Sequence, residues 1–430
     1  MRILLTGATG LIGAATLARL VADGHEVVAV VRSAGPAADR LPAARTIAVD
    51  IARTTDPARW RPHLAGIDAL VNCAGVLQAG GSDSPAAVHA AGMPALFRAC
   101  ADAGVRRIVH LSAIGVDETA STGFARSKRD GDAVLMGLDV DWLILRPSLV
   151  LGRAAYGGSA LLRALAALPV LAVPADAGRF QPLQLDQLAA TIAAMLAPGA
   201  PARQVVDIVG PERLGVPSIV AAYRRWLGLP PARTVRVPRR LAVLAFRAGD
   251  LLGHLGWRPP VRSTTLAELA RDRAGDPADW TRLAGLRPRP LAEALAAEPA
   301  SVQERWFASL YLLKPLLFGV LSLYWIVTGI VALGPGRAAG AALLVEAGLG
   351  ALAAPAAVAG AIADILVGCA IAVRRTAGPA IAAAIALSAI YLVAGSVLLP
   401  ALWLDPLGPL AKIVPIMALL LVARAILPDR

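Results

Sequence analysis

The chain opens on the apolar run Ile3-Leu4-Leu5, which meets Thr6-Gly7-Ala8-Thr9-Gly10-Leu11-Ile12-Gly13 and then an Ala/Leu-rich stretch ending near Asp23-Gly24. A short apolar run bounded by glycines predicts a buried strand, and the longer stretch after it a helix. Apolar runs recur at 26–31, 46–49, 68–72, 107–111 and 142–146, with helical stretches between them. Strands alternating with helices predict an α/β fold, a doubly wound parallel sheet whose ligand sits at the carboxyl ends of the strands. Beyond residue 310 the pattern changes. Apolar runs at about 315–333, 355–373, 378–398 and 409–427 each approach the roughly 20 residues needed to cross about 30 Å of hydrocarbon. They predict an all-α four-helix transmembrane bundle.

Composition agrees with a chain divided in this way. Of 430 residues 57% are hydrophobic, which excludes disorder. The last 116 positions hold only ten charged groups, so the front is expected to be soluble and the tail to sit in lipid. The net charge of +12 is a poor guide to partners, because 39 of the 42 cationic side chains are Arg and three are Lys, a drift of composition. Its distribution is more informative. Between Arg213 and Ala267 there are ten Arg and one acid, Asp250, interleaved with Leu241, Leu244, Leu251, Leu252, Leu255 and Trp257. Such a segment can lie among lipid headgroups, each Arg near an anionic leaflet contributing about 1 kcal/mol. A solvated helix is the equal alternative, and nucleic acid is disfavoured beside a membrane anchor. Cys73, Cys100 and Cys369 form neither a metal-type pair nor a disulfide framework, which suits a reducing compartment. No His pair has metal-ligand spacing, so no metal is expected. Met1-Arg2 runs straight into the first strand without an apolar leader, so the N-terminus is expected in the cytoplasm.

The glycine turn carries the first chemistry. Strand, Gly-rich turn and helix together are the context in which Gly7 permits a tight turn, Gly10 lets backbone N–H groups approach a pyrophosphate, and Gly13 lets helix and strand pack closely. Thr9, Leu11 and Ile12 complete the loop's cofactor-binding set. The second strand ends at Arg32, where an NAD-preferring fold places an acid for the ribose 2′-OH. An Arg there favours a 2′-phosphate, so NADP is the expected cofactor, with NAD the alternative.

Residues 1–300 resemble the short-chain dehydrogenase/reductase superfamily, specifically its atypical extended members, which include NmrA-like regulators and a respiratory complex I accessory subunit. The resemblance is carried by Gly7, Gly10, Gly13, Asp50, Asn72-Cys73-Ala74-Gly75, Leu111-Ser112-Ala113, Ser127-Lys128 and Arg146-Pro147-Ser148. It implies that Asp50 contacts adenine, that Lys128 bonds the nicotinamide ribose, and that Ala74, Gly75, Arg146 and Pro147 line the cofactor. One departure matters. The family's catalytic pair is Tyr-x-x-x-Lys, whereas Phe124-Ala125-Arg126-Ser127-Lys128 keeps the ring and loses the hydroxyl. A positioned general acid is worth about 10²–10⁴ in rate, so Phe124 removes the family's usual donor. Lys128 and Ser112 remain as the candidate catalytic residues, with Ser121, Thr122 and Tyr156 as other hydroxyls. Gln181 to Asp186 resemble the family's return to the substrate cleft.

The tail, 310–428, resembles the DoxX-like family of small four-helix membrane domains, most specifically at 399–412. Some relatives in that family are linked to quinone electron transfer. Four crossings put Arg305, Lys314, Arg374, Arg375, Arg424 and Arg430 at cytoplasmic ends and leave Arg337 and Lys412 outside, as the positive-inside rule asks. The segment 338–353 is expected to be interfacial or re-entrant. Asp364 falls at the centre of the second span, on a face with Ala356, Gly360 and Gly368. Tyr324 and Ser388 lie at similar depth as partners for it. An ionisable residue there marks a functional site or ties the bundle together.

The expected organisation is thus an NAD(P)-binding Rossmann core over 1–150, a small substrate lobe with the basic segment over 151–305, and the membrane domain over 310–430. The expected protein is a multi-pass protein of a bacterial-type inner membrane with its nucleotide-binding domain in the cytoplasm, an oxidoreductase or isomerase-like enzyme acting on a lipid-soluble molecule or quinone. The rival is a non-catalytic NAD(P)H sensor or respiratory-complex accessory subunit.

Overall fold

The computed structural model describes residues 1–79, 84–117 and 122–427. The chain divides into two compact units, one of residues 1–250 and 259–308, the other of 251–258 and 309–430.

The first unit is built on β1 (Arg2–Thr6), α1 (Leu11–Ala22), β2 (Glu26–Val31), β3 (Arg45–Ala48), β4 (Ala69–Asn72), α2 (Met93–Asp102), β5 (Arg107–Leu111), α3 (Gly123–Met136) and β6 (Asp141–Pro147). After them come α4 (Leu185–Ala194), β7 (Gln204–Ile208), α5 (Val216–Trp226) and α6 (Arg239–His254). Seven parallel strands pair in the order β7-β6-β5-β4-β1-β2-β3. The order reverses between β1 and β4, which opens a crevice at their carboxyl ends. Alternate residues feed two cores: Ile3, Leu5, Val109 and Leu143 pack with Leu188 and Ile192 of α4 on one face. Leu4, Val28, Leu70 and Ile108 pack with Phe97 and Cys100 of α2 on the other. Burial on both faces is why these strands read as unbroken apolar runs. The seventh strand comes from 204–208, well after the other six in the chain.

The basic stretch is only partly a surface. Arg224 is buried and donates to the carbonyls of Ala166, Leu168 and Pro230. Arg213, Arg239 and Arg262 pair with Asp272, Asp176 and Asp250. Arg225, Arg233, Arg236, Arg240 and Arg247 are exposed. Along α6 and the residues after it, Leu241, Leu244, Leu251, Leu252 and Leu255 are exposed at helical spacing.

In the second unit, α7 (Leu313–Leu333), α9 (Ala353–Ala372) and α10 (Ala377–Leu398) are long and apolar enough to cross a membrane. Between the first two lies α8 (Arg337–Glu346), ten residues and about 15 Å long, too short to cross. α11 (Ile413–Ile426) has 14 residues, about 21 Å, and is shorter than the expected 409–427. The reason is Pro415. A helix begun at 409 would hold it in the interior, where the ring clashes with the carbonyl four residues back; begun at Ile413 it falls in the tolerated first turn. α7 and α9 touch through glycine: a Cβ at Gly329 would lie 2.5 Å from Ala361 O, and one at Gly368 2.8 Å from Ser322 O. At one end of the bundle Lys314 Nζ donates to Ile426 O at 2.6 Å and Arg374 to Leu427 O at 2.8 Å, two cations on the last carbonyls of α11. Trp257 belongs to this unit. Its ring packs on Phe318 and its Nε1 donates to Ala372 O at 2.7 Å.

Candidate functional site

The crevice is floored by the glycine turn. Gly7 has φ +72°, in the left-handed region that glycine enters without strain. A Cβ there would lie 2.6 Å from Cys73 C, and one on Gly13 2.0 Å from Gly7 O. These positions press the turn onto β4 and α1 onto the turn. Gly10 differs, since its Cβ would meet only Gly7 O, at 3.2 Å. Gly10 is the N-cap of α1 and, among the described residues, no side chain caps that helix. A positive helix end with open space above it fits the pyrophosphate of a dinucleotide. Thr9 is exposed at this end, with Leu11 and Ile12 half-buried behind it. Arg32 is exposed directly after β2. The Asp50 carboxylate is already engaged locally, where it accepts from Ala52 N–H at 3.1 Å and caps the short turn Ile51–Arg53.

Beneath the crevice runs a chain of buried polar groups. Thr6 Oγ1 and Ala74 N–H both donate to Asn72 Oδ1. Asn72 Nδ2 reaches His110 Nδ1 at 2.7 Å, and His110 Nε2 reaches Asp132 Oδ1 at 3.1 Å. Ser112 Oγ donates to Asp132 Oδ2 at 2.7 Å, and Arg146 stands 3.4 Å from the same oxygen. These bonds assign the proton of His110 to Nε2. Burial would raise the Asp132 carboxyl, but hydrogen bonds from His110 and Ser112 and the charge of Lys128 hold it below its usual range. Burial pushes His110 down, so it stays a neutral donor.

Lys128 lies over this chain. Its side chain is buried, at 5% exposure, and the ammonium donates to Leu111 O at 2.6 Å. A Cβ on Gly75 would stand 3.6 Å from Nζ, so Gly75 passes across the ammonium. Burial pushes Lys128 down to about 8, against the attraction of Asp132. Next to it His89 accepts from Val76 N–H at 3.0 Å and meets Ser127 Oγ at 3.0 Å, and Ser127 donates to Phe124 O. Burial and the neighbouring ammonium push His89 to about 2, so it is neutral and fully partnered. Phe124 packs edge-on against it, ring centres 5.7 Å apart.

Among the expected proton donors, Ser112 is turned to Asp132. Thr122 caps α3 and donates to Glu268. Tyr156 is 44% exposed, and Ser121 lies outside the described residues, as does Arg430 of the tail. Arg271 and Arg273, which carry no signal in the sequence, bond the carbonyls of Gly115 and Ile114 and so hold the loop after β5. His89 and His110 are likewise silent there, and the one local signal is Asp132, one helical turn after Lys128. A cavity of about 310 Å³ beside α1, α4 and α5 contains none of the Lys128 cluster.

In the second unit Asp364 accepts from Tyr391 Oη at 3.0 Å. Tyr324 and Ser388 line the same cavity without being its bonded partners, which corrects the expected pairing.

Residues 7–163 match the NAD(P)H-binding family and residues 322–421 the DoxX-like family. No curated protein sequence matches the chain. Among solved structures it is similar to the NADPH-dependent quinone oxidoreductase QOR2 of Escherichia coli complexed with NADPH, at 19% identity over 69% of this chain and 99% of that one, TM-score 0.54. It is also similar to the Bordetella bronchiseptica enzyme WbmG in complex with NAD, at 18% identity over 69% and 92% of the two chains, TM-score 0.52. A third is UDP-N-acetylglucosamine 4-epimerase from Bacillus cereus, at 15% identity over 69% and 97%, TM-score 0.51. At such identities the likeness establishes the fold alone, and the family matches place an NAD(P)H-binding domain near the N-terminus and a DoxX-like domain near the C-terminus of one chain.

Proposed function

We propose that this protein is a membrane-held NAD(P)H-dependent reductase of a lipid-soluble carbonyl compound, with Lys128 as proton donor in place of the missing tyrosine. The observation that carries the reading is the buried Lys128 ammonium, fixed on Leu111 O and crossed by Gly75. The glycine turn, with Thr9, Leu11 and Ile12, would hold the pyrophosphate. Asp50, Ala74, Gly75, Arg146 and Pro147 line the rest of the crevice, and Arg32 selects the 2′-phosphate of NADP. A reduced dinucleotide held there would be the source of hydride for the carbonyl carbon. Lys128 gives its proton to the oxygen and regains one from water; with a pKa near 8 it is matched to work near neutrality. Asp132, carrying negative charge below it, keeps the site's cations balanced.

The apolar helices and the exposed leucine stripe of α6 support a substrate that partitions into lipid. The clustering of Lys314 and Arg374 at one bundle end supports a cytoplasmic reductase domain. Phe124 favours the second reading, an NAD(P)H-binding sensor or accessory subunit without turnover. Titrating the detergent-solubilised protein with NADPH and NADH, then assaying NADPH oxidation against quinones and carbonyls, separates the two. Reduction that falls as pH rises through about 8, and is lost in Lys128→Met with binding retained, supports the enzyme. Tight binding without turnover across the panel supports the sensor.

A further inference from the structure

The outward face of α6 is apolar. At about 100° per residue Leu241, Leu244, Ala248, Leu251 and Leu252 fall within an arc of about 100°, and all five are exposed, Leu244 at 67% and Leu251 at 68%. Arg240 and Arg247, also exposed, border that arc on one edge. Ala242, Gly249 and Gly253 lie on the opposite side and are buried. The roll of the helix is fixed. A Cβ on Gly249 would stand 1.7 Å from Val261 O, and Asp250, the one acid in α6, accepts from Arg262 Nε at 3.1 Å and from Ser263 N–H at 3.3 Å.

A continuous exposed leucine face marks a contact surface, and two observations say with what. The first is continuity. Directly after α6, and within the second unit, Leu255 O accepts from Arg374 N–H at 2.9 Å, Trp257 Nε1 bonds Ala372 O, and the Arg374 guanidinium lies over the Trp257 ring. The chain leaving α6 is thus seated at the end of α9, a helix long enough to cross a membrane. Tryptophan and cations at the end of such a helix belong to the water–lipid boundary. The second is charge. With Asp250 engaged, the edge of the leucine face presents arginine and no free acid, which complements anionic headgroups; a second copy of α6 would offer those arginines no acid.

We propose that α6 is a membrane contact additional to the bundle, its leucine face laid in the headgroup–acyl boundary of an anionic leaflet with Arg240 and Arg247 on lipid phosphates. The inference rests on the bundle lying in a membrane and not on turnover, so its test contains no nucleotide.

The full chain is placed in nanodiscs of phosphatidylcholine, with and without phosphatidylglycerol, and amide hydrogen exchange of 241–255 is followed by mass spectrometry. A helix exchanges when it opens, and one laid in lipid must first leave it. Each arginine near an anionic leaflet multiplies partition by about five, so exchange should be about fivefold or more slower with phosphatidylglycerol. Arg240→Gln with Arg247→Gln should restore the phosphatidylcholine rate. Leu244→Ser with Leu251→Ser should speed exchange about tenfold in the anionic discs, while exchange in β1 and α9 stays unchanged and shows both units intact. Equal exchange of the parent protein in the two discs, or an unchanged rate in the serine variant, would overturn the proposal. Slowing that follows protein concentration and ignores phosphatidylglycerol would also overturn it, and would assign the face to a second copy.

Discussion

Alanine at Gly10 and at Gly13 should have opposite signatures, because the two glycines are constrained by different neighbours. At Gly13 the new Cβ would stand 2.0 Å from Gly7 O, about 1.5 Å inside the roughly 3.5 Å optimum for non-bonded atoms. The obstacle is main chain on both sides, so α1 must back away from the turn. Overpacking of this kind costs about 1–3 kcal/mol, or roughly 3–10 °C in Tm for a domain of this size. The displaced helix end also loses the phosphate. At Gly10 the Cβ meets a single atom at 3.2 Å, and the backbone, at φ −85°, suits alanine. Folding should change by less than about 1 kcal/mol, while the methyl occupies the space where phosphate oxygens meet the first N–H groups. Losing one such charge-assisted bond costs about 1.5–3 kcal/mol, a rise in Kd of roughly 10- to 100-fold. Differential scanning fluorimetry and NADPH titration of both variants read the two effects separately. If Gly10→Ala binds NADPH as tightly as the parent protein, the anion does not sit over this helix end and the proposed cofactor geometry is wrong.

Three further outcomes follow from buried groups. Asp132→Asn keeps the shape but removes the negative charge facing Arg146 and Lys128, so the melting of the full chain should show a loss of about 3–5 kcal/mol; a change below about 1 kcal/mol would mean the charge is not what holds the network. His89 is neutral in the fold, with its pKa lowered to about 2 from 6.5. The unfolded chain therefore binds the extra proton first, and stability should fall as pH drops below about 6.5 by about 1.4 kcal/mol per unit; His89→Gln should flatten that slope in denaturation measured from about pH 7 to about pH 5. Gly329→Leu drives a side chain into Ala361 O, which a Cβ alone would approach to 2.5 Å, so it should lower the melting temperature of the membrane unit while NADPH affinity stays unchanged.

The doubly wound sheet was legible because its strands are buried on both faces and so appear as apolar runs between glycines. The glycine turn was legible for a related reason: close approach of backbone to backbone leaves only one residue type possible at Gly7 and Gly13. The polar chain under the crevice was not. Asn72 to His110, His110 to Asp132 and His89 to Ser127 are contacts between residues 22 to 38 apart in the chain, and nothing local distinguishes a histidine that will be buried neutral from one in water. The late start of α11 could have been read from Pro415, which is visible in the sequence, but an apolar run alone hides where a helix starts. The partner of Asp364 was missed by one helical turn, since Ser388 and Tyr391 lie three positions apart on α10 and depth alone cannot choose between them.

The scarcity of lysine adds a constraint that no single contact supplies. Arg outnumbers Lys 39 to 3, yet two of the three lysines each set a compact ammonium on a single oxygen. Lys128 and Lys314 each donate to a main-chain carbonyl at 2.6 Å, the first in the crevice and the second at the end of α11. A planar fork brings five donors to be satisfied, whereas a compact ammonium can concentrate on one oxygen and lose its proton when buried. At the helix end only the first property is used. In the crevice the second is open to it as well, because the Lys128 pKa is lowered to about 8, whereas a guanidinium there would remain protonated throughout the physiological range. Lys128→Arg is therefore the sharper variant than Lys128→Met: it keeps the positive charge, and if Lys128 only anchors the cofactor, reduction should survive, whereas a proton donor's loss should cut turnover by about 10²-fold or more while NADPH still binds.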